Sequence, residues 1–474
     1  MKAAKNNPMN LEQWQDYLLE LHPKEIELGL ERVRQVYDRM LQPAHQALKI
    51  VVGGTNGKGS TCAMLEAILL AAGYRVGVYS SPHLVRFNER FRIQGQPVHD
   101  ELICQHLQAV EVQRGDVALT FFEFTTLAGL DLFAAADLDV WILEIGLGGR
   151  LDAVNIVDAD CSILTQIAVD HQDYLGADRE SIGAEKAAIF RPDTIAICTD
   201  TEPPQSVLKT AQEKGTPLWL LGRDFDYQAD SYQWQYKGPN QRRAALPYPA
   251  LRGNNQLPNA CAALAALEAL REQLVVPIQD IKQGLIQVSL PGRFQVLPGQ
   301  PMVILDVAHN PHAVRSLAYN LQQIPTTGRT IAVVGMLKDK EVEAALRQLA
   351  GQIDRWHCAA LPAPRGLNAE KLSTLVKAAM TAPSQPLMEN LPLAQHNGRS
   401  NDEQAMSEAP RVRPRQVNRS SRPAEVLAYD SVVDAFQAAQ QVSTDNDRIL
   451  VFGSFFTVGP VLAVIEDQQR ARVH

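Results

Sequence analysis

The run Gly53-Gly54-Thr55-Asn56-Gly57-Lys58-Gly59-Ser60-Thr61 combines glycines, a lysine and hydroxyls over a short stretch. Glycines let successive backbone N–H groups close on an anion. A lysine supplies a point charge for the β/γ-phosphates, and a hydroxyl such as that of Ser60 reaches a hard cation. A plain glycine turn would need neither lysine nor hydroxyl. Gly59 separates Lys58 from Ser60, so the spacing departs from the ordinary P-loop.

Other residues carry chemistry farther along. Glu144 ends the apolar run Val140-Trp141-Ile142-Leu143. A carboxylate there is costly unless it meets a cation or donors. His171 follows Asp170 in a polar stretch after an apolar run; an imidazole can ligate a metal, although magnesium prefers oxygen. Lys186 lies among small apolar residues in Ile182-Gly183-Ala184-Glu185-Lys186-Ala187-Ala188. It is either a surface lysine paired with a neighbour such as Glu185 or an inward group that needs pairing or chemical change. Asp306 and His309 stand at the end of a later apolar run, with Asn310-Pro311 suited to open a helix. Arg293 sits in the connector before them, and both halves would then face one nucleotide.

These residues need positioning elements. Leu48 to Val52 reads as a buried strand, and Thr61, Met64, Leu65, Ile68 and Leu69 give a helical face after the loop. Residues 10–41 form two helices broken at His22-Pro23. Residues 75–80, 140–146, 161–167, 194–199 and 217–221 read as strands. The segments 98–114, 121–133, 179–190 and 257–274 read as helices. Strands alternating with helices predict a mostly parallel sheet with ligands at the strand carboxyl ends. A small β-rich patch covers 225–249, and Ser81 to Phe91 is a long loop. A second strand-helix rhythm begins after residue 296, with strands at 302–307, 330–336, 356–361 and 449–452. The expected architecture is α/β: residues 1–296 as a P-loop parallel-sheet ATPase domain, and 297–474 as a smaller Rossmann-like domain without the dinucleotide fingerprint. Residues 382–425 are rich in Pro, Ser, Asn, Gln and Arg and predict a flexible insertion. Its cluster Arg411, Arg413, Arg415, Arg419 and Arg422 reads as solvated.

The 474 residues carry a net charge of -8, which excludes a general nucleic-acid field. The six cysteines are scattered without zinc or redox spacing, as expected for free thiols in a reducing compartment. No h-region follows the amino-terminal lysines and no run approaches a membrane span. A soluble cytoplasmic protein is expected, with no membrane partner.

Taken together, Gly54 to Ser60, Ser80-Ser81-Pro82-His83-Leu84, Glu144-Ile145-Gly146-Leu147-Gly148-Gly149-Arg150-Leu151-Asp152, His171 to Gly176, Glu185-Lys186-Ala187, Pro291-Gly292-Arg293-Phe294 and Asp306 to Pro311 resemble the folylpolyglutamate synthase family, in order and spacing. The match spans nearly the whole chain and points to the bacterial bifunctional dihydrofolate synthase/folylpolyglutamate synthase branch of the Mur-like amide-bond ligases. The resemblance implies that ATP phosphorylates a carboxylate of 7,8-dihydropteroate or a reduced folate, and that the amine of L-glutamate displaces the phosphate. It implies ATP phosphates on Gly54 to Thr61, one magnesium on Ser81 and Glu144, and a second near Glu144, His171 and a carbamylated Lys186, with K+ as a candidate further ion. Lys58, His171, Lys186 and His309 would carry catalysis. Arg293 and Asp306 would face the nucleotide, and His309 also the glutamate. Ser81, Pro82, His83, Arg90, Phe122 and Asp152 would line the pterin side, Phe122 by stacking. In Gly253-Asn254-Asn255-Gln256-Leu257-Pro258-Asn259-Ala260 the family pattern has histidine where Asn255 stands; Asn255 keeps donor and acceptor groups for adenine. A monomer is expected.

Three other readings remain at this level. A Mur-type peptide ligase would need a further recognition domain ahead of residue 48. A monofunctional folylpolyglutamate synthase would lack dihydropteroate activity. A nucleotide-binding regulator would not require Lys58, Glu144, His171 and Lys186 together.

Overall fold

The computed structural model describes residues 9–22, 26–40, 46–324, 326–362, 365–381 and 424–473. The expected insertion at 382–425 and its arginines fall almost wholly outside the described residues. Its last residue, Glu425, instead begins a strand, Glu425–Tyr429. The chain divides into two compact units: one reaches Tyr227 and continues from Ser231 to Arg293, the other comprises Gln228–Asp230 and the residues from Phe294 onward.

The first unit is built on an eight-stranded sheet. Its strands are β1 (Leu48–Gly53), β2 (Val76–Tyr79), β3 (Phe91–Ile93), β4 (Gln96–Pro97), β5 (Val140–Glu144), β6 (Cys161–Leu164), β7 (Ala196–Cys198) and β8 (Leu218–Leu220), in the spatial order β4-β3-β2-β5-β1-β6-β7-β8. From β2 to β8 every pairing is parallel; β3 and β4 add an antiparallel hairpin. The central strands β1, β5 and β6 are near-continuous apolar runs because helices cover both faces. Their register sets Val52 beside Glu144 and Gly53 beside Leu164. Three chain segments therefore leave the sheet side by side at its carboxyl edge: the glycine loop, the Glu144 loop and the segment leading to His171.

Helices fix these ends. Lys58–Ala71 buries Met64, Leu65, Ile68 and Leu69 against the sheet. Phe121–Ala135 starts at Thr120, whose hydroxyl accepts from Glu123 N while the Glu123 carboxylate accepts from Thr120 N. Such a cap contributes about 1 kcal/mol. Glu123 also meets Arg32 of the helix Glu31–Met40 at 2.9 Å, pinning that helix to the core. Gln256–Ala269 buries nearly every residue after its first turn.

The second unit holds a six-stranded sheet in the order Gln295–Leu297, Met302–Asp306, Arg448–Phe452, Thr330–Val334, Arg355–Ala359 and Glu425–Tyr429. Only the first of these pairings is antiparallel. Helices Pro311–Gln323, Ala369–Thr381 and Val432–Val442 pack on it. Among the described residues no helix is long and apolar enough to cross a membrane.

Candidate active site

The glycine loop takes its shape from the neighbouring segment. Gly54 has φ 134°, and a Cβ there would overlap the Thr165 hydroxyl. Only glycine allows both the backbone angle and the approach. Gly57, at φ 96°, caps the helix that begins at Lys58. Its backbone faces Asn259: a Cβ on Gly57 would lie 2.5 Å from Asn259 Oδ1. Helix start and oriented N–H groups make this an anion site.

Two lysines converge on this loop. Lys58 Nζ donates to Gly54 O at 3.0 Å and to Thr55 O at 3.3 Å. Lys186, nearly fully buried on the helix Arg179–Ala187, donates from Nζ to the same Gly54 O at 3.0 Å. Lys186 thus faces inward. The helix can approach because Gly149 has no side chain, as a Cβ there would lie 2.6 Å from Glu185 O. Arg150 then ties the loop to that helix, donating from N to Glu185 O at 2.9 Å and from Nε to Glu185 Oε1 at 2.8 Å.

Glu144 is 5 % exposed at the end of β5. Burial pushes its carboxyl above the usual range, against the pull of Lys58, Arg293 and the Ser81 N–H. Ser81 N donates to Glu144 Oε2 at 3.3 Å, so the Ser81-Pro82 turn and Glu144 are direct neighbours. A Cβ on Gly59 would lie 3.6 Å from the Arg293 guanidinium and 3.8 Å from Glu144 Oε1. The extra glycine of the loop thus sits beneath an arginine and a carboxylate. Ser60 is buried in the first turn of the helix, and the Thr61 hydroxyl donates to Gly57 O at 3.1 Å.

Among the described residues no group of three or more His, Cys, Asp or Glu is arranged to hold a metal. The groups available are one buried carboxylate, Glu144, bonded by the Ser81 backbone N–H, with His171 and Lys186 on neighbouring segments. That set fits magnesium, which usually keeps waters and takes one or two carboxylates plus substrate phosphates. As an ammonium, Lys186 has no lone pair for a metal.

His171 adopts a left-handed conformation, φ 52° and ψ 43°, just before the short helix Gln172–Leu175. A non-glycine residue there carries strain of about 1–3 kcal/mol, which tends to gather at functional sites. Its backbone N–H is held by Asp170 Oδ1 at 2.8 Å.

Beyond the Ser81-Pro82 turn in sequence, Arg90 is nearly fully buried. Its guanidinium lies over the Phe121 and Phe87 rings, 5.2 and 5.8 Å from their centroids. Arg90 Nε donates to His83 Nδ1 at 2.9 Å. Nδ1 therefore carries a lone pair and Nε2 the proton. Burial and the adjacent guanidinium push the His83 pKa down to about 4. Phe122 lies over the end of β5, since a Cβ on Gly146 would come 2.5 Å from its Cζ. Asp152 closes its own loop: Oδ2 accepts from Leu147 N at 2.8 Å and Oδ1 from Val154 N at 3.0 Å. Burial raises its pKa to about 6 despite those donors.

Asn255 caps Gln256–Ala269 without a side-chain bond to its backbone. In the second unit, Asp306 ends its strand and accepts from Phe294 N at 2.9 Å and Ala308 N at 2.7 Å. His309 Nδ1 bonds Val307 O at 2.9 Å, two residues back.

Several residues at the site are absent from the sequence-based site assignment. Thr165 fills the space beside Gly54, Asn259 reaches Gly57, and Gly149 admits the Lys186 helix. The motif around Asn259 was visible, but nothing in it said that its amide meets the glycine loop.

The chain is similar to known proteins over nearly its whole length. The Mur ligase middle domain family matches residues 52–267, and the Mur ligase, glutamate ligase domain family matches 292–391. The dihydrofolate synthase/folylpolyglutamate synthase of Escherichia coli strain K12 is 43% identical over 458 residues, covering 96% of this chain and 96% of that one. The solved structure of E. coli FolC in complex with DHPP and ADP has a TM-score of 0.83 at 42% identity, covering 97% of this chain and 99% of that one. A bifunctional folylpolyglutamate synthase/dihydrofolate synthase with Mn, AMPPNP and L-glutamate bound gives 0.80 at 42% identity, covering 97% and 98%. Parallel sheet, glycine loop and buried strand-end carboxylate are those of an ATP-dependent amide-bond ligase of the Mur type. Within that class the chain belongs to the dihydrofolate synthase/folylpolyglutamate synthase family.

Proposed function

We propose that this chain joins L-glutamate to 7,8-dihydropteroate, forming dihydrofolate, and to reduced folates, forming folylpolyglutamates. ATP transfers its γ-phosphoryl group to the acceptor carboxylate. The amine of glutamate then attacks the acyl phosphate, the C–N bond forms and phosphate leaves. The observation that carries this reading is the meeting of Lys58, Lys186 and the glycine loop at Gly54 O, with Glu144 on the adjacent strand end.

In this reading the backbone from Gly54 to Ser60 cradles the phosphates and Lys58 offsets charge on the transferring group. Glu144, Ser81, His171 and Lys186, the last as a carbamate, hold magnesium, which neutralises phosphoryl charge. Arg293 supports the phosphates from above Gly59. Asn255 serves the adenine. Phe122 presents a flat face for the pterin, Asp152 shapes the loop beside it, and His83 offers a fixed Nε2 donor. Positioning supplies much of the rate. The chain acts in the cytoplasm as a monomer.

The experiment supplies dihydropteroate, glutamate and Mg-ATP. Dihydrofolate formation supports the bifunctional reading. Activity on tetrahydrofolate alone would make the chain a monofunctional folylpolyglutamate synthase.

A further inference from the structure

Thr55 belongs to the glycine loop by sequence, yet its hydroxyl is engaged elsewhere. Thr55 Oγ1 donates to Ala168 O at 3.0 Å and accepts from Ala168 N at 3.1 Å. One side-chain oxygen thus satisfies both backbone groups of a residue 113 positions away. The backbone continues the link: Thr55 N donates to Gln166 O at 2.8 Å, and Thr165 N donates to Gly53 O at 2.9 Å. The Thr165 hydroxyl reaches the same Gly53 O at 3.0 Å. From the far side, Arg179 Nε donates to Ile167 O at 3.1 Å, and Ile167 N donates to Asp200 Oδ2 at 2.9 Å. Every residue from 165 to 168 is therefore tied by its backbone. Three residues later the chain reaches the strained backbone of His171.

We propose that Thr55 is a positioning residue rather than a phosphate ligand: its hydroxyl clamps the 165–168 segment to the glycine loop, so that His171 is set at a fixed place relative to the bound nucleotide. The proposal rests on the reading of His171 as a metal ligand given above. A hydroxyl whose single proton is donated to Ala168 O has that proton committed away from a phosphate oxygen. Loss of the outer-shell partners that orient a metal ligand typically costs about 10–100-fold in metal affinity.

The test uses the full chain with Thr55→Val, which keeps the shape and removes the hydroxyl, and Thr55→Ser, which keeps the hydroxyl. Amide exchange across 165–171 is measured without ligands, ADP affinity without divalent metal, and Mn2+ affinity of the ADP complex by electron paramagnetic resonance. In Thr55→Val exchange over 165–171 should accelerate several-fold, about fivefold or more. Metal-free ADP affinity should fall much less than Mn2+ affinity, which drops about tenfold or more. Thr55→Ser should restore both. Unchanged Mn2+ affinity, or an equal loss of metal-free ADP affinity, overturns the proposal. If Thr55→Val does not fold, Arg179→Gln loosens Ile167 from the opposite side, and unchanged Mn2+ affinity there overturns it. None of these readouts needs a folate or glutamate. A wild-type protein that binds Mn2+ with ADP but ligates no glutamate would overturn the proposed function and leave the clamp result standing.

Discussion

Lys58 Nζ and Lys186 Nζ donate to one carbonyl oxygen, that of Gly54, each at 3.0 Å. Two ammonium groups on one acceptor repel each other, and the pair sits where phosphate charge would gather. Lys58→Ala should lower the rate of product formation on the order of 10²–10³-fold, the scale for removing a donor aimed at developing charge. Steady-state formation of dihydrofolate checks this. Full activity with both substrates present would remove Lys58 from the mechanism.

Lys186 leads to a separate prediction. Converting its amine to a carbamate replaces a cation with an anion and relieves the repulsion with Lys58. Activity of enzyme held in CO2-depleted buffer should fall and return on adding bicarbonate. Lys186→Ala should be inactive in both buffers. Density for an unmodified ammonium in an Mg-ATP complex would argue the other way.

Gly149 sets the distance between its loop and the Lys186 helix. In Gly149→Ala the new methyl would meet Glu185 O at 2.6 Å and Lys186 O at 2.9 Å. Those are backbone atoms and cannot swing aside. Overpacking should cost about 1–3 kcal/mol of stability, read as a shifted denaturation midpoint. The activity loss should exceed what that destabilisation explains, because the helix carries Lys186 away from Gly54.

His83 should stay neutral through the working pH range. Its folded pKa, about 4, lies below the ordinary 6.5, so the folded state takes up fewer protons than the unfolded chain between those values. That contribution to stability is complete above pH 6.5 and is lost as pH falls toward 4. Arg90→Met removes the opposing guanidinium and frees Nδ1, and the His83 titration followed by NMR should move upward. An unmoved titration would show that burial alone holds it.

His357 in the second unit is fully buried and stacks on Tyr429, with ring centroids 5.1 Å apart. Neither ring nitrogen has a hydrogen-bond partner among the described residues. Burial lowers its pKa to about 4. His357→Phe keeps the stack and removes two unsatisfied groups, so it should stabilise the protein by about 1–3 kcal/mol in urea unfolding. The gain should widen as pH falls from 6.5 toward 4, because the unfolded wild-type chain takes up a proton there that the folded protein does not.

The buried charged residues Glu144 and Lys186 were legible in the sequence because each stands at a sharp change of character. Glu144 interrupts an apolar run, and Lys186 interrupts a line of small residues. The central strands were legible for the same reason, since burial on both faces leaves continuous hydrophobic sequence. The β3-β4 hairpin went unassigned, beyond the loop ending at Phe91, because Phe91–Ile93 and Gln96–Pro97 are too short to show a period. Glu425–Tyr429 was absorbed into the polar stretch before it, and its identity as a strand depends on pairing with Arg355–Ala359. Thr55 stood in the glycine loop, but nothing in the sequence pointed to its hydroxyl bonds with Ala168. Its partner Ala168 is an unremarkable residue whose importance arises only from proximity in space.

The outer strands of the large sheet have a consequence for how the protein behaves when concentrated. One border is Gln96–Pro97, two residues long, and its proline has no N–H to offer. The other is Leu218–Leu220, three residues long. A neighbouring molecule seeking to lay a strand alongside finds almost no open ladder at either border. Self-association of the native protein by extending this sheet is thereby closed off, and any clumping has to begin on another surface or in a partly unfolded chain.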